Sequence, residues 1–265
     1  MLEMKNVTKT FLKGTPDEQT ALDNFCLHVE DGEFVTVIGS NGAGKSTMFN
    51  AIGGSFFPDR GKIQLGGKDI TFLPEHRRAL MIGRLFQDPM RGSAPDMTIE
   101  ENLALAFSRK NGRHALGIGI KRSDRDFFRS ELRALDMGLE DRMGTRVGLL
   151  SGGQRQALSL IMSTVGAPEL LLLDEHTAAL DPAAAEKIMR ITNDIIARRG
   201  LTAMMVTHNV GTALKTGTRT IMLDRGKLIL DLSGEERGKM TVARLMELYA
   251  HGGKALDTDR MLFTQ

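Results

Sequence analysis

Cysteine is almost absent from this sequence: Cys26 is the only one in 265 residues. That excludes an internal disulfide and a cysteine-rich zinc site, and it fits a reducing compartment. Cys26 stands among apolar neighbours in a strand-like run, which places it in the core. Long hydrophobic runs are absent too. No apolar stretch approaches the roughly 20 residues that span a bilayer, and residues 1–11 carry no signal-peptide pattern. The expectation is a chain soluble by itself and able to dock on a membrane protein. An excess of one charge is also lacking. The formal net charge is +2, whereas a nucleic-acid binder relying on phosphate contacts is usually more basic, so no nucleic-acid partner is expected. Internal repeats, low-complexity tracts and sustained heptads do not occur.

What is present is an ordinary globular balance, 41% hydrophobic and 26% charged, enough for a packed core. Residues 1–6 and 21–29 read as strands, with a polar turn holding Pro16 between them. Residues 33–38 are apolar and β-branched and end on Gly39; a helix opens near Gly44 and runs to about Gly53. Short strands follow at 62–65 and 82–86. Thr98 and Glu101 have capping-box spacing ahead of the apolar-periodic residues 103–107. Residues 109–129 are basic, are interrupted by Gly112, Gly117 and Gly119, and belong on a solvated face or near a partner or lipid headgroups. A helical pattern resumes at 126–137. Ser151 opens another helix, which Gly166 and Pro168 end. Residues 170–173 read as a buried strand, and 202–207 and 220–223 as further strands. Asp224-Arg225-Gly226-Lys227 reads as a hairpin turn into 228–231. An amphipathic helix at 241–250 precedes a polar tail. Strands alternating with helices at both ends predict a mostly parallel α/β core. The helix-rich stretch 89–167 interrupts it. The 16 methionines fall largely in predicted core segments, where packing explains them.

Gly39-Ser40-Asn41-Gly42-Ala43-Gly44-Lys45-Ser46, followed by Thr47, fits the phosphate-binding loop G-x-x-x-x-G-K-[ST] without departure. It lies between a strand and a helix, the context that motif needs. The glycines let backbone N–H groups curl around phosphate oxygens, and the helix points its positive end at the same anion. Lys45 suits the β and γ phosphates and the Ser46 hydroxyl suits magnesium. An ordinary glycine-rich turn does not require Lys-Ser after its last glycine.

The apolar strand 170–173 ends in Asp174-Glu175. Beside a phosphate loop, such a strand end is where a magnesium-holding aspartate sits. Asp174 suits that job through a water, since magnesium keeps much of its hydration. Glu175 points elsewhere and suits a general base for the attacking water. The plain alternative is a pair of acids capping a strand in solvent.

Leu150-Ser151-Gly152-Gly153-Gln154 separates the phosphate-loop families. Ser151 and Gln154 have capping-box spacing, ahead of an amphipathic helix with Ala157, Leu158, Ile161, Met162 and Val165 on related faces. A well-capped helix does not explain two glycines in its first turn, where propensity is poor. Close approach of another group does, and a helix N-terminus is a second anion site. With these residues the chain resembles the ABC transporter ATPases, whose signature is this Leu-Ser-Gly-Gly-Gln. The resemblance covers nearly the whole chain in the right order: the phosphate loop, Gln87 in Leu85-Phe86-Gln87-Asp88, the signature, Asp174-Glu175, Ala179-Leu180-Asp181, and His208 in Val206-Thr207-His208.

The resemblance implies a P-loop NTPase core with a mostly parallel sheet, an N-terminal antiparallel β subdomain and an inserted helical subdomain. The corresponding spans are 1–88 with 168–232, 89–167 for the helical part, and 233–265 for a C-terminal helix and tail. It implies ATP and Mg2+ as cofactors and a head-to-tail dimer, in which Ser151, Gly152, Gly153 and Gln154 of one copy close over ATP held by the other. Gln87 is assigned to magnesium, the attacking water and sensing of a transmembrane partner. His208 resembles the switch histidine at the γ-phosphate, against the alternative of a satisfied strand-end histidine. Asp181 resembles the acid that communicates between the two ATP sites, and Asp181-Pro182 also reads as a helix N-cap with Pro at the first position. Phe11 matches the aromatic that stacks on adenine, with core packing as its rival.

No Asn-Lys-x-Asp element for reading guanine occurs, which disfavours a GTPase. His176 is a departure: the family more often has proline after the glutamate. Gln87-Asp88-Pro89-Met90 and the stretch from Asp174 to Asp181 resemble a branch linked to bacterial import systems with a lipoprotein receptor, some associated with tryptophan or related amino acids. The expected protein is therefore an import ATPase subunit at the cytoplasmic face of the cell membrane. Its partners are a second copy, permease subunits and a substrate-binding protein. An exporter ATPase is the alternative. A soluble ABC ATPase of translation or repair is disfavoured by the single cassette and missing heptads, and a purely structural nucleotide module by Glu175.

Overall fold

A computed structural model describes residues 1–111 and 120–252. The glycine-interrupted part of the basic stretch, 112–119, and the polar tail after 252 lie outside the described residues. The chain forms two units, Met1–Arg78 with Gly200–Gln265, and Ala79–Arg199.

The first unit opens with strands β1 (Leu2–Phe11) and β2 (Gln19–Val29), paired antiparallel from Leu2↔Val29 to Phe11↔Gln19. β1 runs further than the alternation in the sequence indicates. Asn6 has φ 49° and the register shifts between Met4 and Val7; such a bulge breaks the period of two without ending the strand. Along β2, Phe25, Leu27 and Val29 are buried while Asn24, Cys26 and His28 are exposed. Cys26 is thus not a core residue, contrary to expectation. Its apolar neighbours point to the opposite face, as successive strand residues must. Its thiol donates to Asn6 Oδ1 at 3.1 Å.

Next come β3 (Phe34–Gly39) and α1 (Lys45–Gly53). β4 (Arg60–Leu65) and β5 (Lys68–Asp69) complete a four-stranded antiparallel sheet in the order β2-β1-β4-β5. The short helix α2 (Glu75–Arg78) ends on a fully buried arginine. The Arg78 guanidinium donates to the carbonyls of Ala51 (2.6 Å), Ile52 (2.8 Å), Leu73 (2.7 Å) and Thr71 (3.0 Å). It meets the negative end of α1, where a cation is favoured. Burial pushes its pKa down from the usual arginine value.

The second unit begins with β6 (Ile82–Leu85), followed by α3 (Ile99–Asn111) and α4 (Arg122–Arg133). The Thr98–Glu101 box forms as the spacing predicts: Glu101 N–H donates to Thr98 Oγ1, and Thr98 N–H to Glu101 Oε2. α4 buries Phe128 and Leu132 and leaves Arg122, Arg125 and Arg129 exposed, so the described part of the basic stretch faces solvent. Then come α5 (Gly152–Thr164), β7 (Leu170–Asp174) and α6 (Pro182–Arg199). β7 pairs parallel with β6 from Ile82↔Leu170 to Leu85↔Leu173. α6 buries Ile188, Ile191, Thr192 and Ile195, the spacing of one helical face.

The chain returns to the first unit through β8 (Ala203–Val206), α7 (Val210–Lys215), β9 (Arg219–Asp224), β10 (Lys227–Ser233), α8 (Gly234–Lys239) and α9 (Val242–Gly252). β8 and β9 flank β3, both parallel to it. A strand covered this way is apolar along its length, and Phe34, Val35, Val37 and Ile38 are all buried. β10 pairs antiparallel with β9 across Arg225 (φ 45°) and Gly226 (φ 76°), the left-handed pair of a two-residue hairpin. Leu245 of α9 is buried against Ile38, Val210, Ala213, Met222 and Leu232. The result is an α/β fold with an antiparallel N-terminal sheet and mostly parallel strands elsewhere, as expected. No helix among the described residues is long and apolar enough to cross a membrane.

Candidate nucleotide site

The loop from Gly39 to Thr47 joins the end of β3 to the start of α1. Gly39 pairs with Leu223 of β9, at φ 148°, and a Cβ there would lie 2.3 Å from the Leu223 carbonyl oxygen. Gly44, at φ 104°, would bring a Cβ to 2.6 Å from the Ala21 carbonyl. Only glycine meets both demands, the left-handed backbone and the missing side chain. The β9–β10 turn braces the loop: Gly226 N–H donates to the Ala43 carbonyl at 2.9 Å. No side chain caps α1 and no acid stands in its first turn, which keeps the positive end of the helix clear for an anion. Lys45 is 5% exposed, and its ammonium donates to the carbonyls of Gly39 (2.6 Å) and Ser40 (2.9 Å). Ser46 is exposed and Thr47 half-buried.

His208 follows β8, whose Val206 is level with Val37 of β3. It therefore leaves the sheet at the same end as the phosphate loop. It is half-buried, with Thr207 N–H donating to the Val37 carbonyl before it and Asn209 capping α7 after it. Phe11, at the end of β1, is 37% exposed and sits edge-to-face on Phe56 with ring centroids 5.4 Å apart. Its exposure removes core packing as the account of that aromatic.

In the second unit the parallel pair β6 and β7 brings Gln87 and Asp174-Glu175 to one strand end. Asp174 is half-buried, with Arg84 Nη2 at 3.7 Å from Oδ2. Glu175 has φ 45°. Gln87 is exposed, two residues past β6. The carbonyl just before it, of Phe86, accepts from Gln156 Nε2 of α5 at 3.3 Å. Ser151 and Gln154 form the reciprocal box: Gln154 N–H donates to Ser151 Oγ at 3.3 Å, and Ser151 N–H to Gln154 Oε1 at 3.2 Å. Gly152 is exposed. Among the described residues, a Cβ on Gly152 would meet only Leu180 Cδ2, at 3.5 Å, and one on Gly153 would meet Ala184 Cβ at 3.5 Å and Met137 Cε at 3.9 Å; these are ordinary contacts. Asp181 caps α6 as its sequence predicts, accepting from Ala184 N–H at 3.0 Å.

A phosphate loop, a strand-end carboxylate pair and a glycine-bearing capped helix are the parts of one known ATPase. The family model described as ABC transporter matches residues 22–178. The chain belongs to the ABC transporter ATP-binding family. It is similar to the tyrosine transport ATP-binding protein of Clostridioides difficile, 40% identical over 95% of this chain and 99% of the relative. It is also 33% identical to the thiamine import ATP-binding protein ThiQ of Salmonella paratyphi A, over 86% of this chain and 92% of that one. Among solved structures it resembles a dimeric ATP-binding cassette, MJ0796, in a post-hydrolysis state bound to ADP and Pi. That likeness has a TM-score of 0.75 and 30% identity, over 88% of this chain and 98% of the other. The chain is thus an ATP-hydrolysing subunit of a transporter.

Within this ATP-binding cassette, the first unit carries Phe11, the residues from Gly39 to Thr47 and His208. The second carries Gln87, the residues from Ser151 to Gln154, Asp174, Glu175 and Asp181. Sequence reasoning missed Arg84 and Gln156, which have no motif of their own, and read Gly226 only as part of a hairpin turn, not as a brace of the phosphate loop. Each acts on a carboxylate or carbonyl that only folding brings near. His176 carries a signal in the sequence, as the departure from proline, but its surroundings are visible only in the fold. It is 2% exposed, and burial pushes its pKa down to about 4.

Proposed function

We propose that this ATPase powers uptake of a small solute, an amino acid of the aromatic class, through separate permease subunits. A substrate-binding protein delivers the solute, and the cassette works at the cytoplasmic face of the membrane. The observation that carries this reading is the 40% identity to a tyrosine transport ATP-binding protein across nearly the full length of both chains. The cassette acts as a head-to-tail dimer with two shared ATP sites. The dimeric cassette among the similar structures supports this, as does the signature helix. The chain's own packing places no demand for glycine at Gly152, so the close approach that glycine permits comes from outside the chain.

In this reading the backbone from Gly39 to Thr47 grips the phosphates, Lys45 turns from its own loop carbonyls to the β and γ phosphates, and Phe11 stacks on adenine. Ser151, Gly152, Gly153 and Gln154 close over ATP held by the other copy, and Asp181 links the two sites. Ser46, Asp174 and Gln87 are the residues that would hold Mg2+. A hydroxyl, a carboxylate and an amide oxygen are the hard donors magnesium prefers. The ion supplies charge neutralisation at the β and γ oxygens. Glu175 accepts a proton from the attacking water, while Gln87 orients that water and His208 contacts the γ-phosphate. The helical subdomain, 89–167, carries the motion to the permease.

Glu175→Gln is the test. It keeps the size of the side chain and removes the base. ATP is expected to remain bound in a stable dimer on size exclusion while phosphate release stops. Unchanged hydrolysis refutes the assignment. Loss of labelled tyrosine or tryptophan uptake on deleting the chain tests the cargo class; retention of both activities refutes it.

A further inference from the structure

The residue after the proposed general base is a buried histidine whose hydrogen bond has a fixed direction. His176 Nε2 lies 3.1 Å from Thr192 Oγ1 in the middle of α6. The Thr192 hydroxyl lies 2.8 Å from the Ile188 carbonyl oxygen, one turn back. A hydroxyl has one proton and a carbonyl oxygen can only accept, so that proton goes to Ile188. Thr192 therefore accepts from His176, and Nε2 is the donor. Thr192 is fully buried, so water does not compete for either partner.

The loop that begins here is tied to the same helix twice. At its start His176 reaches the middle of α6, and at its end Asp181 caps the first turn of α6. Between them, Ala178 N–H donates to the Glu175 carbonyl at 3.0 Å and Leu180 N–H to the Thr177 carbonyl at 3.2 Å. Glu175 sits at the head of this construction with φ 45°. A non-glycine residue holds that conformation only when its neighbours impose it. A proline after Glu175 would restrict that residue through its ring. Here the restriction comes from a side chain anchored on a helix.

Resting on the reading of Glu175 as the base, we propose that His176 is a positioning residue: its hydrogen bond to Thr192 pins the backbone after Glu175 to α6 and sets where the Glu175 carboxylate stands. His176 is 2% exposed, with its Nε2 on Thr192. Its contribution is to the geometry of the hydrolytic step and not to ATP binding.

The test uses the full-length protein and its ATP turnover. His176→Leu removes the donor and fills the space; Thr192→Val removes the acceptor at nearly constant shape. Each is expected to lower kcat about 10-fold with KM for ATP and ATP-dependent dimerisation unchanged, since a small misplacement of a catalytic group costs rate before affinity. The double variant is expected to lose no more than either single one, because both break the same link. His176→Gln, which places an amide N–H at a similar reach, is expected to recover kcat to within about 3-fold of wild type, as retention of the donor predicts. Wild-type kcat in His176→Leu, additive losses in the double variant, or a fall in ATP affinity matching the fall in rate overturns the proposal. If His176→Leu does not fold, Thr192→Val alone decides by the same split of kcat and KM. Glu175→Gln is assayed in parallel. Normal turnover there removes the base assignment itself, whereas a dead Glu175→Gln beside a normal His176→Leu removes only the role of His176.

Discussion

Gly39 and Leu223 face one another across the β3–β9 ladder, and the Leu223 carbonyl oxygen occupies the place a Cβ on Gly39 would take, 2.3 Å away. The phosphate loop therefore leaves its strand through a gap that only hydrogen fills. Gly39→Ala forces either the loop or β9 to move. Overpacking plus an unfavourable φ costs about 3 kcal/mol or more. Expected are a clear drop in melting temperature and loss of ATP binding by calorimetry; a variant that melts and binds like wild type contradicts this account of the loop.

Gly152→Ala has the opposite signature. Among the described residues its Cβ meets only Leu180, at an ordinary 3.5 Å, and alanine is the better helix former by up to about 1 kcal/mol. Stability should hold or rise, while ATP-dependent dimerisation and hydrolysis fall, because the methyl group intrudes where the other copy's nucleotide approaches. Equal loss of stability and activity would mean that the glycine serves the fold.

Lys45→Ala tests the cation. In this structure the ammonium rests on two loop carbonyls, and the reading has it exchange them for phosphate oxygens. Losing charge-assisted bonds of roughly 1.5–3 kcal/mol each weakens ATP binding by at least about 10-fold. Equilibrium titration with a fluorescent ATP analogue measures it, and unchanged affinity removes Lys45 from the phosphate site.

Asp59 gives a pH dependence with a definite sign. The Thr10 backbone N–H donates to it at 2.7 Å and the Lys9 ammonium at 3.1 Å. The Thr10 hydrogen bond is the main reason its carboxyl is held below the ordinary 3.8, with Lys9 adding to it. A carboxyl with a lowered folded pKa stabilises fully above about pH 4 and loses that contribution as pH falls through its folded value. Asp59→Asn should therefore destabilise at neutral pH and flatten the acid limb of the stability curve. It should also loosen the end of β1 that presents Phe11, raising KM for ATP. Chemical denaturation between pH 3 and 7 reads the first effect, and a slope equal to wild type rules it out.

Much of the fold was legible because the signals were local. The continuous apolar run of β3, the strand 170–173, the Ser151 and Thr98 boxes and the Asp224–Lys227 turn each declare themselves within a few residues, since period, capping and turn chemistry act at short range. Where the period broke, reading failed. Asn6 bulges β1 and hides its second half, and the apolar neighbours of Cys26 point to the core while its own parity along the strand turns it to the exposed face.

The sequence by itself determined the family and the nucleotide, because the phosphate loop, the signature and the carboxylate pair are contiguous motifs whose chemistry follows from residue type and spacing. Only the tertiary structure decided what holds those motifs in place. Leu223 and Gly226 come from a distant hairpin to shape the phosphate loop, Gln156 reaches the carbonyl ahead of Gln87, and Thr192 pairs with the His176 imidazole. No local motif announces these contacts, because a hydrogen bond or a steric limit needs only the right atom at the right distance. That distance is set by how strands and helices pack, over separations along the chain that no local pattern records.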